Sequence, residues 1–461
     1  MRTTAKQILW PVRGVEEIAA YHDATPDTAS QTRAYASPYA LNVRTRGPIE
    51  LRERGGSRPG MKAVTGVTTD GGGRWLWPDG SAVLWPDGKE MTFSSDAVFY
   101  APDGSRVIDL HAVPGIAASK GDAPTGVTVA TIYRARLFAA KGSDWFCSRL
   151  GDTADWDYGA DIADVARACA GNVALAGRKG DAITAFMPVN DSYLYIATAR
   201  SLWCISGDPC NGSLSCVSTE VGVSGAAAWC FTGSRLYFLS DKGLFGVVPG
   251  EHPFLLSSAI PRLRGYSGSF MCHDPETDAL HVFTDVPATG NTTVASDWYV
   301  ELGERPAFWP ASFATATRPV SACRMTVGGV DKAAFVCADG AWRVFDESVA
   351  CEGASRVAFG PFRVSASDDM DGFLAELHVT LAEQSANMTA KIWTAHSAER
   401  AAKLAIAGTG GASFAFAPGW NAVWRPRVRG AWAVLVLECE TGKWAFEAVR
   451  AICKHLGRLR P

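Results

Sequence analysis

Trp77-Pro78-Asp79-Gly80, Trp85-Pro86-Asp87-Gly88 and Ala101-Pro102-Asp103-Gly104 write one turn three times in close succession, each followed by a short strand-like run. Proline pre-sets φ at the second turn position, aspartate caps its own backbone, and glycine takes φ > 0 without steric cost. Turns at this spacing join small hairpins repeated in space, which predicts a β-propeller or a similar all-β array. Outward from them, strand-like runs recur at residues 82–84, 98–100, 127–133, 136–139, 193–198, 202–205, 235–239, 244–248, 279–283, 334–337 and 342–345, mostly separated by Gly, Asp or Asn. At roughly 40–50 residues per four-stranded blade, that length accommodates five to seven blades.

The ends of the chain read differently. Residues 1–55 mix short apolar pieces with Pro, Arg and Ser and hold no sustained period, which predicts an extended arm without a core of its own. The propeller is expected over 56–355. From 356 to 448 longer alternating runs, among them Leu374-Ala375-Glu376-Leu377-His378-Val379-Thr380-Leu381, predict an additional β-sandwich-like domain. Residues 449–461 carry Lys454, Arg458 and Arg460 on a partly apolar background and read as a basic tail, either an edge strand or an arm. One helix is expected near 160–170, where Ile162, Val165 and Ala166 fall at helical spacing beside Asp161 and Asp164.

Composition narrows the function classes. The 461 residues are 47% hydrophobic and include 46 Gly and 16 Trp, a balance suited to tight turns and aromatic bodies wedged between sheets. A formal charge of −3 gives no polyelectrolyte signature for tight nucleic-acid binding. No apolar run approaches the ~20 residues of a membrane-spanning helix. The opening Met1-Arg2-Thr3-Thr4-Ala5-Lys6 does not read as a signal peptide, so the 12 cysteines are expected as reduced thiols rather than a disulfide framework. Cys204, Cys210, Cys216 and Cys230 are too widely spaced for the C-x₂₋₄-C pairs of a structural zinc site.

Few residues point to chemistry. Thr68-Thr69-Asp70-Gly71-Gly72-Gly73-Arg74-Trp75 fits the Asp-box spacing of sialidase-like propellers once, and there the motif fixes a hairpin. Glycoside cleavage usually needs two carboxylates held across a pocket, and the sequence singles out no such pair. Asp144, Asp152, Asp155 and Asp157, interleaved with Trp145, Trp156 and Tyr158, allow a calcium loop, a carbohydrate-binding aromatic patch, or a turn whose carboxylates cap backbone donors. The last is expected, since the EF-hand spacing is missing. His273-Asp274 suggests an oriented imidazole of structural kind. Arg425-Pro426-Arg427-Val428-Arg429 places arginines at alternate positions, which on a strand project from one face; they would suit phosphate or carboxylate partners, or form a solvated face with acidic neighbours. No catalytic, cofactor-binding or metal-ligating residue is assigned.

Several segments in order resemble the propeller proteins at the neck and tail of short-tailed bacteriophages, the packaged-DNA stabilisation or tail-hub (nozzle) proteins. They are Gly55-Gly56-Ser57-Arg58-Pro59-Gly60; Ile132-Tyr133-Arg134-Ala135-Arg136-Leu137-Phe138-Ala139 with Ser143-Asp144-Trp145-Phe146-Cys147-Ser148 and Asp155-Trp156-Asp157-Tyr158; Leu202-Trp203-Cys204-Ile205-Ser206-Gly207-Asp208-Pro209; Val221-Gly222-Val223-Ser224-Gly225; and Leu236-Tyr237-Phe238-Leu239-Ser240-Asp241-Lys242-Gly243-Leu244. The resemblance runs from about residue 55 to 244, and none of its motifs is catalytic. It implies a homo-oligomeric ring, commonly of six subunits, beneath the portal and adaptor and around a DNA channel, in a virion assembled in the host cytoplasm.

The expectation is therefore a non-enzymatic structural virion protein of the head-to-tail junction or tail hub, without cofactor or membrane span. Arg425, Arg427, Arg429, Arg458 and Arg460 are its candidate partner contacts. The alternative, from another class, is a glycan-binding or glycan-cleaving propeller acting at a host surface.

Overall fold

A computed structural model describes residues 3–17, 36–50, 52–64, 68–69, 75–76, 99–100, 107–108, 116, 118–174, 180–265, 267–285, 297–327, 330–339, 341–365, 370–417 and 422–458. The three Pro-Asp-Gly turns and the run at 82–84 lie outside the described residues. Antiparallel strands dominate, and the chain divides into two compact units.

One unit comprises Ala63–Thr292 and Pro319–Val344. It is built from consecutive antiparallel meanders. The first runs Val129–Tyr133, Arg136–Lys141, Asp144–Cys147 and Cys169–Asn172, extended beyond its first strand by Val107–Ile108 and Phe99–Tyr100. The second runs Ile183–Asn190, Tyr193–Thr198, Leu202–Ser206 and Ser213–Ser218. The third runs Trp229–Phe231, Leu236–Ser240, Gly243–Val247 and Phe254–Leu255. The hairpin Ser267–Asp274/Ala279–Asp285 and the pair Pro319–Val327/Val330–Cys337 follow the same up-and-down pattern.

First strands of successive sheets adjoin: Val129–Tyr133 lies beside Ile183–Asn190, Trp229–Phe231 beside Ser267–Asp274, and the latter beside Pro319–Val327. Small meanders with neighbouring first strands are the blades of a β-propeller. The fold is thus of the expected all-β, propeller kind. Between the first two blades the core interdigitates aromatic rings: Phe138 stands 5.8 Å from Tyr133, 5.9 Å from Trp145 and 5.8 Å from Phe186. Around them Ile183, Leu194, Ile196 and Ile205 are buried. Offset and edge-on ring pairs of this kind add to the area that they bury.

The other unit comprises Met1–Lys62, Thr293–Arg318 and Phe345–Pro461. It holds two five-stranded sheets. In one, Thr3–Ile8, Phe446–Arg458, Met370–Leu381 and Ala422–Trp424 lie in that order, with Val428–Arg429 also paired to Met370–Leu381. In the other the order is Ala40–Leu41, Ser355–Arg363, Trp432–Cys439, Met388–Ala395 and Ala412–Phe416. The helix Ala398–Ala407 covers this second sheet through Ala398, Ala401 and Ala405, against Trp393 and Trp432. Ser397 caps its start by accepting from the Arg400 N–H, and Gly408 ends it at φ 66°.

Three expectations change. The segment 1–55, expected as an arm, contributes Thr3–Ile8, which pairs antiparallel with Phe446–Arg458 from Thr3↔Lys454 to Ile8↔Val449. Residues 449–461, expected as a tail or an edge strand, are through Arg458 an inner strand, flanked by Thr3–Ile8 and Met370–Leu381. The sequential division at 55, 355 and 448 gives way to one unit that gathers both chain ends and residues 293–318. Strand pairing between distant segments causes all three. The helix expected near 160–170 is also not formed: residues 160–168 make turns and bends and Cys169 opens a strand, with Ile162 82% and Val165 63% exposed.

Trp10 joins the N-terminal segment to this unit. Its ring lies 5.8 Å from Trp309, 6.0 Å from Phe359 and from Trp444, and 5.7 Å from Phe446. Gly55, at φ 84°, passes so close that a Cβ there would stand 2.0 Å from the Trp10 ring. Gly55→Ala is therefore expected to lower stability by roughly 2–5 kcal/mol through overpacking and a left-handed backbone. Gly142→Ala, at φ 59° with open space around it, should cost only about 1 kcal/mol. Urea unfolding of both variants checks the difference; equal midpoints would contradict it.

Candidate functional site

The stretch that the sequence marked for its aspartates is a chain of local side-chain caps. Asp152 Oδ1 accepts from the Ala154 N–H at 2.9 Å, Asp155 Oδ1 from Asp157 at 3.0 Å, and Asp157 Oδ1 from Gly159 at 3.0 Å. Asp161 Oδ1 accepts from Ala163 and Asp164 Oδ1 from Ala166, each at 2.9 Å. Such bonds two residues along offer the backbone an alternative to a helix, which explains why the periodic run at 160–170 stays a loop.

Of the remaining carboxylate oxygens, Asp157 Oδ2 takes Lys120 Nζ at 2.8 Å and Asp164 Oδ2 takes Arg149 Nη1 at 2.6 Å. Lys120 and Arg149 hold these two carboxyls below the ordinary carboxylate range. Trp145 and Trp156 are buried and cannot stack on a sugar; Tyr158 packs 6.3 Å from Phe146. The capping reading stands in place of a calcium loop or a carbohydrate patch.

Arg136 organises the surroundings of this loop. Its side chain is 0% exposed, on the strand Arg136–Lys141. Nη1 donates to the carbonyls of Ser148 (3.0 Å), Ala166 (3.2 Å) and Arg167 (2.6 Å), and Nη2 donates to Val165 O at 2.9 Å. Nη2 also lies 3.5 Å from Asp208 Oδ2, in the turn that leads into Ser213–Ser218. Carbonyls that no strand satisfies converge on one guanidinium, whose planar donors suit them.

Beside it the fold assembles three thiols. Cys147 and Cys169 are directly opposite on paired strands, with Sγ atoms 3.1 Å apart. Cys210 arrives from the second blade, its N–H held by Asp208 Oδ1 at 2.9 Å and its thiol donating to Arg167 O at 3.2 Å. All three sulfurs lie within 4.8 Å of one another. Hydrogen bonds from Cys147 and Cys169, then Arg136 and Arg167, pull the Cys210 thiol down to about 3. Cys147 is pushed up to about 12: the bond with Cys169 lowers it, but the bond with Cys210 and burial outweigh that. Cys169 is raised by its bonds to Cys147 and Cys210.

Sequence reasoning did not find this cluster. It grouped Cys204, Cys210, Cys216 and Cys230, which the fold does not bring together as a ligand set among the described residues. Its actual members are joined by strand register and by contact between blades, neither of which leaves a spacing signal.

The other marked residues are placed as follows. Arg425, Arg427 and Arg429 are exposed, but Arg427 sits at φ 52° and only Val428–Arg429 is a strand, so they do not form one strand's row. Arg425 Nε donates to Glu376 Oε1 at 3.0 Å. Arg458 ends its strand, and Arg460 lies outside the described residues. The Asp box brackets a hairpin, Thr68–Thr69 pairing with Trp75–Leu76; Asp70 itself is outside the described residues. His273 Nε2 bonds Asp278 Oδ1 at 2.9 Å, while Asp274 takes the Thr277 hydroxyl at 2.7 Å. Arg58 is 1% exposed and donates through Nε to Asn42 Oδ1 (3.0 Å), and through Nη1 and Nη2 to Pro59 O (3.1 Å) and Ser312 O (2.9 Å).

No protein-family model and no curated protein matches the chain. Among solved structures it is similar to the extracellular domain of a B. thetaiotaomicron protein described as a one component system, at 11% identity over 72% of this chain, with TM-score 0.36. The chain spans only 40% of that structure. It is also similar to a chain in an S. cerevisiae complex of Dbp5 with Nup159, Gle1, IP6 and ADP, at 12% identity over 66% of this chain and 75% of that one, TM-score 0.30. The N-terminal domain of Nup159 gives 10% identity over 63% and 94% respectively, TM-score 0.28. Likenesses at these scores carry no argument, so the fold rests on the sheets themselves.

The depressed carboxyls give the aspartate loop a signed pH dependence. Asp157 and Asp164 lie below their ordinary 3.8, so their contribution is complete above that pH and is lost as pH falls through their folded values. Amide protection factors at Gly159 and Ala166 should hold above pH 4, fall below 3.8, and stay unchanged on adding calcium. A calcium-dependent rise in protection would overturn the capping account.

Proposed function

We propose that this chain is a structural virion protein of a bacteriophage, at the head-to-tail junction or the tail hub, which assembles as a ring around the channel that holds and conducts the genome. One observation carries the reading: the segments that bear the resemblance are framework. Arg58 in the Arg-Pro-Gly turn is a buried tie, Asp155 and Asp157 cap turns, and Leu202–Ser206 and Leu236–Ser240 are inner strands of their sheets. Conspicuous residues that serve architecture suit a protein whose work is to present rigid surfaces to neighbours.

The charge balance supports the same role. A formal −3 over the chain leaves DNA without the dense phosphate pairing that would hold it in a channel. The exposed Arg425, Arg427 and Arg429 are proposed contacts to acidic groups on the portal or adaptor, with Arg458 and Arg460 beside them in the proposal. Six copies is the ring size that the resemblance implies.

The test is the mass of the purified protein in solution, alone and mixed with a portal or adaptor ring. A closed ring is expected, and replacing Arg425, Arg427 and Arg429 together by Ala should weaken capture by the adaptor without unfolding the protein. Retention on DNA at physiological salt should be absent. A persistent monomer that binds or hydrolyses sialosides would overturn the reading in favour of a glycan-directed propeller.

A further inference from the structure

We propose that Cys147, Cys169 and Cys210 bind one zinc ion, with a water as fourth ligand, and that the metal ties the first described blade to the second. The ligands are poised for it. Two sulfurs bound at ~2.3 Å to a tetrahedral centre stand about 3.8 Å apart. The three sulfurs here lie within 4.8 Å of one another, with Cys147 and Cys169 at 3.1 Å, so small side-chain rotations open the space for the ion.

Their backbones are fixed independently of any metal. Cys147 and Cys169 are register partners across two strands, and Cys210 sits in a turn closed by the Gly212 N–H on Asp208 O at 2.5 Å and the Cys210 N–H on Asp208 Oδ1 at 2.9 Å. Cys169 and Cys210 are partly exposed, which leaves an approach for the ion and its water.

Donor type and charge select the metal. Sulfur ligands exclude calcium and magnesium, which take oxygen. Three thiolates with a divalent ion leave one negative charge, which together with the Asp208 carboxylate 3.5 Å from Arg136 is matched by the two guanidiniums at the site, Arg136 and Arg167. A monovalent copper ion would leave two. Binding is not a redox step: each S–H still protonated releases its proton to water, and the freed sulfur lone pair forms the bond to zinc.

The experiment uses the full chain, reduced and stripped of metal, titrated with zinc chloride against a chromophoric chelator and then alkylated and mapped by mass spectrometry. One zinc per chain is expected, with Cys147, Cys169 and Cys210 protected together. Cys210→Ser should weaken uptake beyond the ~10–100-fold typical of losing an outer-shell partner, while Cys204→Ser, on a neighbouring strand, should leave it unchanged. The mapping on the unmodified chain decides the matter even if Cys210→Ser fails to fold. No uptake, zinc that protects other cysteines, or a Cys147–Cys169 disulfide in protein isolated without oxygen would each overturn the site.

Discussion

Buried guanidiniums are the constraint on which much of this structure depends. Wherever regular strands stop and the chain turns inward, carbonyls lose their ladder partners and must find donors. Arg136 collects those of Ser148, Val165, Ala166 and Arg167, and Arg58 those of Pro59 and Ser312. Arg44 adds a third buried cation, stacked 3.8 Å over Tyr299 and 4.5 Å over Phe345. Taking a charge out of water is expensive, and burial pulls the Arg58 guanidinium's affinity for its proton down. At Arg58 hydrogen bonds from Nε, Nη1 and Nη2 offset that cost, and at Arg136 the bonds from Nη1 and Nη2 fix the loops between strands.

The strand pattern was legible because alternation and turn chemistry are local. Tyr193–Thr198 was readable residue for residue and Leu202–Ser206 nearly so, since Asn190-Asp191-Ser192 precedes the first and Gly207-Asp208-Pro209 follows the second. The loop at 160–170 misled because helical spacing of Ile162 and Val165 carries no information on whether a core faces them; Asp161 and Asp164 cap their own backbone instead. Thr3–Ile8 gave no signal as an edge strand, because its partner lies at the opposite end of the sequence. The thiol cluster was invisible for the same reason: its members meet only through register and blade contact.

Seen together, the residues that look like chemistry in one dimension are mostly ties in three. Aspartates cap turns, tryptophans fill the spaces between strands, and arginines close loops. A framework of this kind leaves function to its surfaces, and the three thiols meet where the first described blade touches the second.

The most direct test of that account compares Arg58→Met and Arg136→Met with the surface change Arg429→Ala in urea unfolding. Each buried variant should lose roughly 2–5 kcal/mol, because the charge-assisted bonds that tie several loop carbonyls to one side chain are removed, while the surface variant stays within about 0.5 kcal/mol of the unmodified chain. Buried-arginine variants as stable as the surface variant would contradict the claim that these guanidiniums hold the loops in place.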